Sequence, residues 1–214
     1  MDVWSAICEG AAAGIVAEAA RRDLEQSPYG VDALEEVALH PLLAAGIAEA
    51  GFGALREERL PTGRGRVRRS EGFRCDLVVL PEGDTALRDP LLAGTLFGQR
   101  GASPEDAVWL EVKAIHQFAL VNGVASANPR YSSLWLREAK ADVQKLSAES
   151  ELLRRGLLLV VFAADEATIE HDLHAWAHKC LDEGLGIGRL VRRVFPVTER
   201  IGNTVGAVVV VEVR

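Results

Sequence analysis

The alternation of apolar and polar positions divides the chain into segments of two periods. Residues 3–25 are Ala-rich with helical spacing, and Ser27-Pro28-Tyr29-Gly30 breaks the pattern. A second helix is predicted over about 32–49, with Leu39, Leu43 and Ile47 on one face and a kink or restart at Pro41. Gly51-Phe52-Gly53 ends it. Extended runs follow at 54–60 and 66–80, joined by a Gly/Arg turn at 61–65. Residues 81–107, rich in Gly, Pro and Asp, read as an insertion with a short helix around 90–96. A strand is predicted at 108–115, a loop containing Asn122-Gly123 and Asn128-Pro129 at 117–132, and a long helix at 133–154. The continuous apolar run 157–163 has the length of a strand buried on both faces. A helix at 166–183 and two strands at 189–197 and 204–213 complete the chain. The order α-β-β-β-α-β, then α-β-β, predicts an α/β fold: a mixed central β-sheet flanked by helices.

Composition narrows the class. With 214 residues, 49% hydrophobic and 26% charged, the chain is expected to form one domain with an aliphatic core. A net charge of −7 argues against a surface that grips nucleic acid everywhere, though not against a local basic groove. Cys8, Cys75 and Cys180 are odd in number and lack metal-type spacing, so a reducing cytoplasm is expected. Asp2, Glu9 and Glu18 interrupt the N-terminal stretch, which lacks a basic lead and does not read as a signal peptide; no run is expected to span a membrane. The basic residues are 20 Arg against 4 Lys: Lys113, Lys140, Lys145 and Lys179. A Lys in such a chain hints at a need for a compact, titratable ammonium.

The chemistry concentrates on two strands. Asp76 begins the apolar stretch 77–80, where a carboxylate is costly to bury without a partner or a cation. Glu111 and Lys113 are two apart on a strand, so they share a face with Trp109, while Leu110 and Val112 face the other way. If the two strands pair, Asp76 and Glu111 converge, and a hard dication resolves their repulsion. Mg²⁺ takes one or two carboxylates and keeps waters and substrate phosphate in its other positions. The competing reading is an interstrand salt bridge on a solvated sheet face.

Asp76 followed by Glu111-Val112-Lys113, inside this order of elements, resembles the PD-(D/E)XK (restriction-endonuclease-like) nuclease superfamily over about residues 31–163. The resemblance implies a restriction-endonuclease-like α-β-β-β-α-β core with a C-terminal helix and β-hairpin. It implies Asp76, Glu111 and the Val112 carbonyl as ligands of Mg²⁺ or Mn²⁺, and Lys113 as the catalytic lysine. The family's additional helical acid is best matched by Glu36, which shares the face of Leu39, Leu43 and Ile47; Glu35 is the alternative, and Glu49 falls late. Two departures stand out: Cys75 replaces the family's proline, and 34 residues separate Asp76 from Glu111. The implied activity is hydrolysis of phosphodiester bonds in DNA or RNA. Specificity then comes from loops 81–107 and 117–132, a homodimer partner or another protein. The rival expectation is a catalytically silent protein of the same fold, serving as a binding or assembly module.

Weaker signals surround this core. Leu136, Ala139, Val143, Leu146 and Ser150 share a helical face; Lys140 at its border is a candidate substrate contact, and Lys145, nearly opposite, reads as solvated. His116 is a second candidate for substrate contact. His171, His174 and His178 read as a solvated polar face rather than a metal site. Arg64, Arg66, Arg68, Arg69 and Arg74 suit a phosphate backbone, but Glu57, Glu58 and Glu71 beside them suit a solvated turn equally. Gly184-Leu185-Gly186-Ile187-Gly188 follows a helix and reads as a turn, not a phosphate loop.

Overall fold

The structure is a computed structural model and describes residues 2–60, 74–88 and 101–214. It contains helices α1 (Val3–Leu24), α2 (Glu36–Glu49), α3 (Tyr131–Ser133), α4 (Lys140–Ser147) and α5 (Glu166–Asp182). Its strands are β1 (Phe52–Arg59), β2 (Arg74–Glu82), β3 (Val108–His116), β4 (Phe118–Val121), β5 (Val124–Ala127), β6 (Arg155–Ala163), β7 (Ile187–Pro196) and β8 (Val205–Val213). The main sheet runs β1-β2-β3-β6-β8-β7, antiparallel except for β3 and β6, which are parallel. This is a mixed α/β fold with helices on both faces of a central sheet. The turn predicted at 61–65, the short helix at 90–96, and Arg64, Arg66, Arg68, Arg69 and Glu71 lie outside the described residues.

Strand alternation assigns the two faces. Val108, Leu110, Val112 and Ala114 pack against α1 and α2, while Ile115 joins α4 and α5 on the opposite side. Strand β6 is buried from Gly156 to Ala163, as its unbroken apolar run predicts. Helices α1 and α2 approach backbone to backbone at glycines: a Cβ on Gly46 would lie 2.1 Å from the Gly10 carbonyl oxygen, and one on Gly14 would lie 2.1 Å from that of Leu42. Pro41 is accommodated inside α2 on its exposed side, where the carbonyl it leaves unbonded belongs to the exposed Val37.

Several expectations are corrected. Helix α1 is long and apolar enough to cross a membrane by length and composition, contrary to the expectation that no run is. Its Ile7, Cys8, Ala11 and Ile15 are fully buried against the fold. Helix α2 begins at Glu36 because Val31–Ala33 forms a separate 3₁₀ turn. The segment expected as a loop contains the two-stranded ribbon β4–β5, closed by Asn122 and Gly123 with φ of 53° and 79°, as a tight hairpin requires. The long helix ends at Ser147, not 154, and its residues Leu134–Ala139 form a π-helical segment. That wider turn rotates the face upstream, so Trp135 is buried and Leu136 is 46% exposed.

Candidate metal and acid–lysine site

The site forms where β2 and β3 part. Their ladder covers Leu77↔Leu110, Val78↔Trp109 and Val79↔Val108, and ends there. Beyond it, the β3 edge presents backbone N–H groups that β2 does not pair, and buried donors need partners. Carboxylates supply them: Val112 N–H donates to Asp76 Oδ2 at 2.8 Å, and Ala114 N–H donates to Glu36 Oε2 at 2.9 Å. In an extended strand the C=O of a residue leaves on the same edge as its N–H, so the Val112 carbonyl also faces this gap. Cys75 is a buried thiol donating to the Leu110 carbonyl, and burial pushes its pKa well above the ordinary range. It is a filler at the fork, not a nucleophile.

Glu36, Asp76, Glu111 and Lys113 thus arrive from α2, β2 and β3. Lys113 Nζ lies 3.3 Å from Glu36 and 3.6 Å from Asp142 of α4. Burial pulls its pKa down, but Asp142 and Glu36 outweigh that and hold it above its ordinary value. Glu36, not Glu35, makes these contacts; Glu35 is exposed on the rim of an adjoining cleft. Glu49, at the far end of α2, is exposed.

Glu111 is 4% exposed, and Lys145 donates to its Oε2 at 2.8 Å while also donating to the Arg74 carbonyl at 2.8 Å. Its other oxygen, Oε1, is buried without a hydrogen bond. Burial, reinforced by the charge of Asp76 and only partly offset by Lys145, pushes the Glu111 pKa up to about 7. Burial likewise raises Asp142 to about 6, and its Oδ2 has no hydrogen bond either. Each carboxylate has one ammonium partner, Lys145 for Glu111 and Lys113 for Asp142, which offsets only part of the cost of burying its charge.

A second grouping shares Asp76. The ligand atoms of His40, Glu57 and Asp76 all lie within 4.8 Å of one another, so these three residues could hold a metal ion. His40 is one helical turn beyond Glu36 on α2, 4% exposed, with Nε2 buried and unbonded. Glu57 sits across from Asp76, between the pairs Arg56↔Leu77 and Glu58↔Cys75, with a φ of 57° that non-glycine residues seldom adopt. The donor set of one imidazole and carboxylates suits a divalent ion of the first transition row as well as the harder Mg²⁺.

The two lysines of the following helix lie on opposite sides of its apolar face, and Lys145, expected to be solvated, is the one that reaches the site. The apolar face of α4 has two borders, and the sequence does not say which one meets the site. Asp142 and Lys145, three apart on one flank, face β3. Lys140, on the other flank, is paired with Glu183 at the end of α5 and does not join the cluster. His116 lies at the end of β3, its ring stacked on Phe162 at 5.2 Å, and burial lowers its pKa to about 4. It lines a cleft of about 480 Å³ that reaches Glu36 and Lys113. His171, His174 and His178 are exposed. Arg74 is exposed and hydrogen-bonds the Glu57 carbonyl. The described ends of the 81–107 insertion meet at Leu87↔Ala102, and Trp109 Nε1 donates to Pro104 O, at the opposite end of the β2–β3 ladder from Asp76.

No protein-family model, curated protein or solved structure matches the chain.

Proposed function

We propose that the chain is a metal-dependent nuclease of the PD-(D/E)XK type, hydrolysing phosphodiester bonds of DNA or RNA with Mg²⁺ or Mn²⁺. The observation that carries this reading is the fork between β2 and β3. There Glu36, Asp76, Glu111 and Lys113 gather from three elements, and Glu111 keeps a buried oxygen with no partner. The order of elements from α2 to β6 fits a restriction-endonuclease-like core. Asp76, Glu111 and the Val112 carbonyl would hold the ion, with His40 and Glu57 extending the donor set and favouring Mn²⁺ over Mg²⁺. The ion supplies Lewis acidity for a phosphoryl oxygen and a lowered pKa for a bound water. Lys113, kept protonated by Glu36 and Asp142, offers its ammonium to the charge that develops on the phosphate. With an ion bound, its charge would offset the burial that raises the Glu111 pKa and would favour the carboxylate form as ligand. Lys145 orients Glu111 from the side of α4.

One observation favours the second reading, a silent binding or assembly module. Lys113 and Lys145 are both neutralised by carboxylates of the chain itself, and the net charge is −7. Cleavage assays separate the two. Labelled DNA and RNA are incubated with Mg²⁺ or Mn²⁺ and the wild type, Lys113→Ala or Asp76→Ala. The nuclease reading expects cleavage by the wild type and its loss in both variants. Cleavage that survives both substitutions removes the assigned mechanism, and no cleavage under any condition favours the module.

A further inference from the structure

The cleft of about 480 Å³ beside Lys113 differs in character from the acid–lysine cluster it adjoins. Its volume lies in the range of small-molecule sites, roughly 300–1,000 Å³. One wall is the ribbon β4–β5, through Ala119, Leu120 and Val121; Leu34 and Leu134 add further apolar surface. The ribbon, Phe118–Ala127, carries no charged side chain. Glu35, Glu36 and Glu138 border the same cleft together with Lys113 and Arg130, which pair with Glu36 and Glu138. Away from Lys113, the ribbon side chains that line the cleft, Ala119, Leu120 and Val121, offer a phosphate no cation and no side-chain donor. A flat, uncharged heterocycle needs neither, and it gains apolar contact. His116, an uncharged ring stacked on Phe162, lines the cleft, and its Nε2 is buried without a hydrogen bond.

The walls are held rigidly. Asn203, fully buried, donates to Asp32 Oδ2 at 2.9 Å and to the Phe118 carbonyl at 3.1 Å, and its Oδ1 accepts the Phe118 N–H at 3.2 Å. This one side chain fastens the base of the ribbon to the 3₁₀ turn on the other side of the cleft. Asn128 adds a tie from its Nδ2 to the His116 carbonyl at 2.9 Å. A cavity so fixed is preformed for its occupant.

We propose that this cleft receives an unpaired nucleobase of the strand whose phosphate lies at Lys113, so that the substrate is a single strand or a frayed end rather than an intact duplex. The proposal rests on the nuclease reading for the position of the phosphate. A base in a duplex enters such a cavity only by leaving its stack, whereas a base in a single strand is already free to do so.

The test measures binding and cleavage separately. Binding of a fluorescein-labelled single-stranded oligonucleotide, and of the same strand annealed to its complement, is followed by anisotropy with the wild-type protein in EDTA, where metal-dependent cleavage is off. The single strand is expected to bind about tenfold more tightly, in line with the contribution of one stacked base. Filling the cleft with Leu120→Trp, or with Val121→Trp should the first variant fail to fold by circular dichroism, is expected to erase that preference. Equal binding of both substrates, or a preference untouched by a folded cleft-filling variant, overturns the proposal. Cleavage by the wild type then distinguishes the two readings. A single-strand preference with no cleavage removes the nuclease and keeps the base subsite. Equal cleavage of both substrates, with equal binding, keeps the nuclease and removes the subsite.

Discussion

Replacing Glu111 by glutamine should stabilise the metal-free protein above pH 7, the reverse of what removing one half of a structural ion pair does. The carboxyl is 4% exposed, and its pKa stands at about 7 against an ordinary 4.5. The folded state therefore holds this proton more tightly than the unfolded chain between those two values. Stability falls as pH rises through that window, and the whole cost of the buried anion is present above about pH 7. At 1.36 kcal/mol per pH unit the rise corresponds to about 3 kcal/mol, an upper figure because ion penetration and local relaxation soften it. Glutamine keeps the shape and removes the charge, so a gain of roughly 1–3 kcal/mol is expected at pH 8, shrinking toward zero near pH 4.5. Urea denaturation at pH 5 and pH 8 measures it. If Glu111–Lys145 is instead a structural salt bridge, breaking it leaves an unpaired lysine and costs roughly 3–5 kcal/mol. A clear destabilisation by Glu111→Gln at pH 8 refutes the reasoning. The same variant should lose the stabilisation that Mn²⁺ gives the wild type, because function and stability oppose each other at this residue.

His40→Ala should weaken Mn²⁺ binding by roughly ten- to a hundredfold, and Mg²⁺ binding less, in calorimetric titrations; equal effects on both ions would exclude the imidazole as a ligand. Lys140→Ala should leave the rate of cleavage within about twofold of wild type, since Lys140 pairs with Glu183 at the end of α5 and makes no contact with the acid–lysine cluster, whereas Lys145→Ala should lower it; the opposite ranking would reverse the assignment of the α4 flanks. Gly202→Ala should destabilise the fold by at least about 1 kcal/mol in urea, because φ is 114° there and a Cβ would lie 2.7 Å from the Phe118 ring; a neutral result would mean the base of the ribbon yields freely. Gly46→Val should lower stability by roughly 1–3 kcal/mol or more, as its Cβ meets the Gly10 carbonyl oxygen at 2.1 Å; an unchanged melting temperature would show that α1 and α2 separate without cost.

What the sequence revealed was set by periodicity. Alternation on β3 put Glu111 and Lys113 on one face, and the apolar run of β6 placed it at the centre of the sheet, because both signals depend only on local geometry. The ribbon β4–β5 was marked by Asn122-Gly123, a hairpin pair, but its flanking runs are only four residues each and did not stand out as strands. The π segment left no trace in the 3.6-residue period, so the place of Leu136 was misread. His40 and Glu57 were missed for a tertiary reason. His40 carries no ligand spacing to another His or Cys within α2, Glu57 is one of four consecutive charged residues in β1, and only the closeness of α2, β1 and β2 makes them a group. Asp142 and Lys145 were three apart on one helix, a readable spacing, yet which flank of α4 faces β3 depends on how the helix is docked.

The most direct test of the metal site at the fork is diffraction from crystals grown with Mn²⁺, read for anomalous scattering. The account predicts a peak at coordination distance, about 2.0–2.2 Å, from an Asp76 carboxylate oxygen, with Glu111 or His40 among the other ligands. It predicts that the peak disappears in Asp76→Ala. A peak elsewhere with none at Asp76, or Asp76 still bonded only to the Val112 N–H in saturating Mn²⁺, contradicts it.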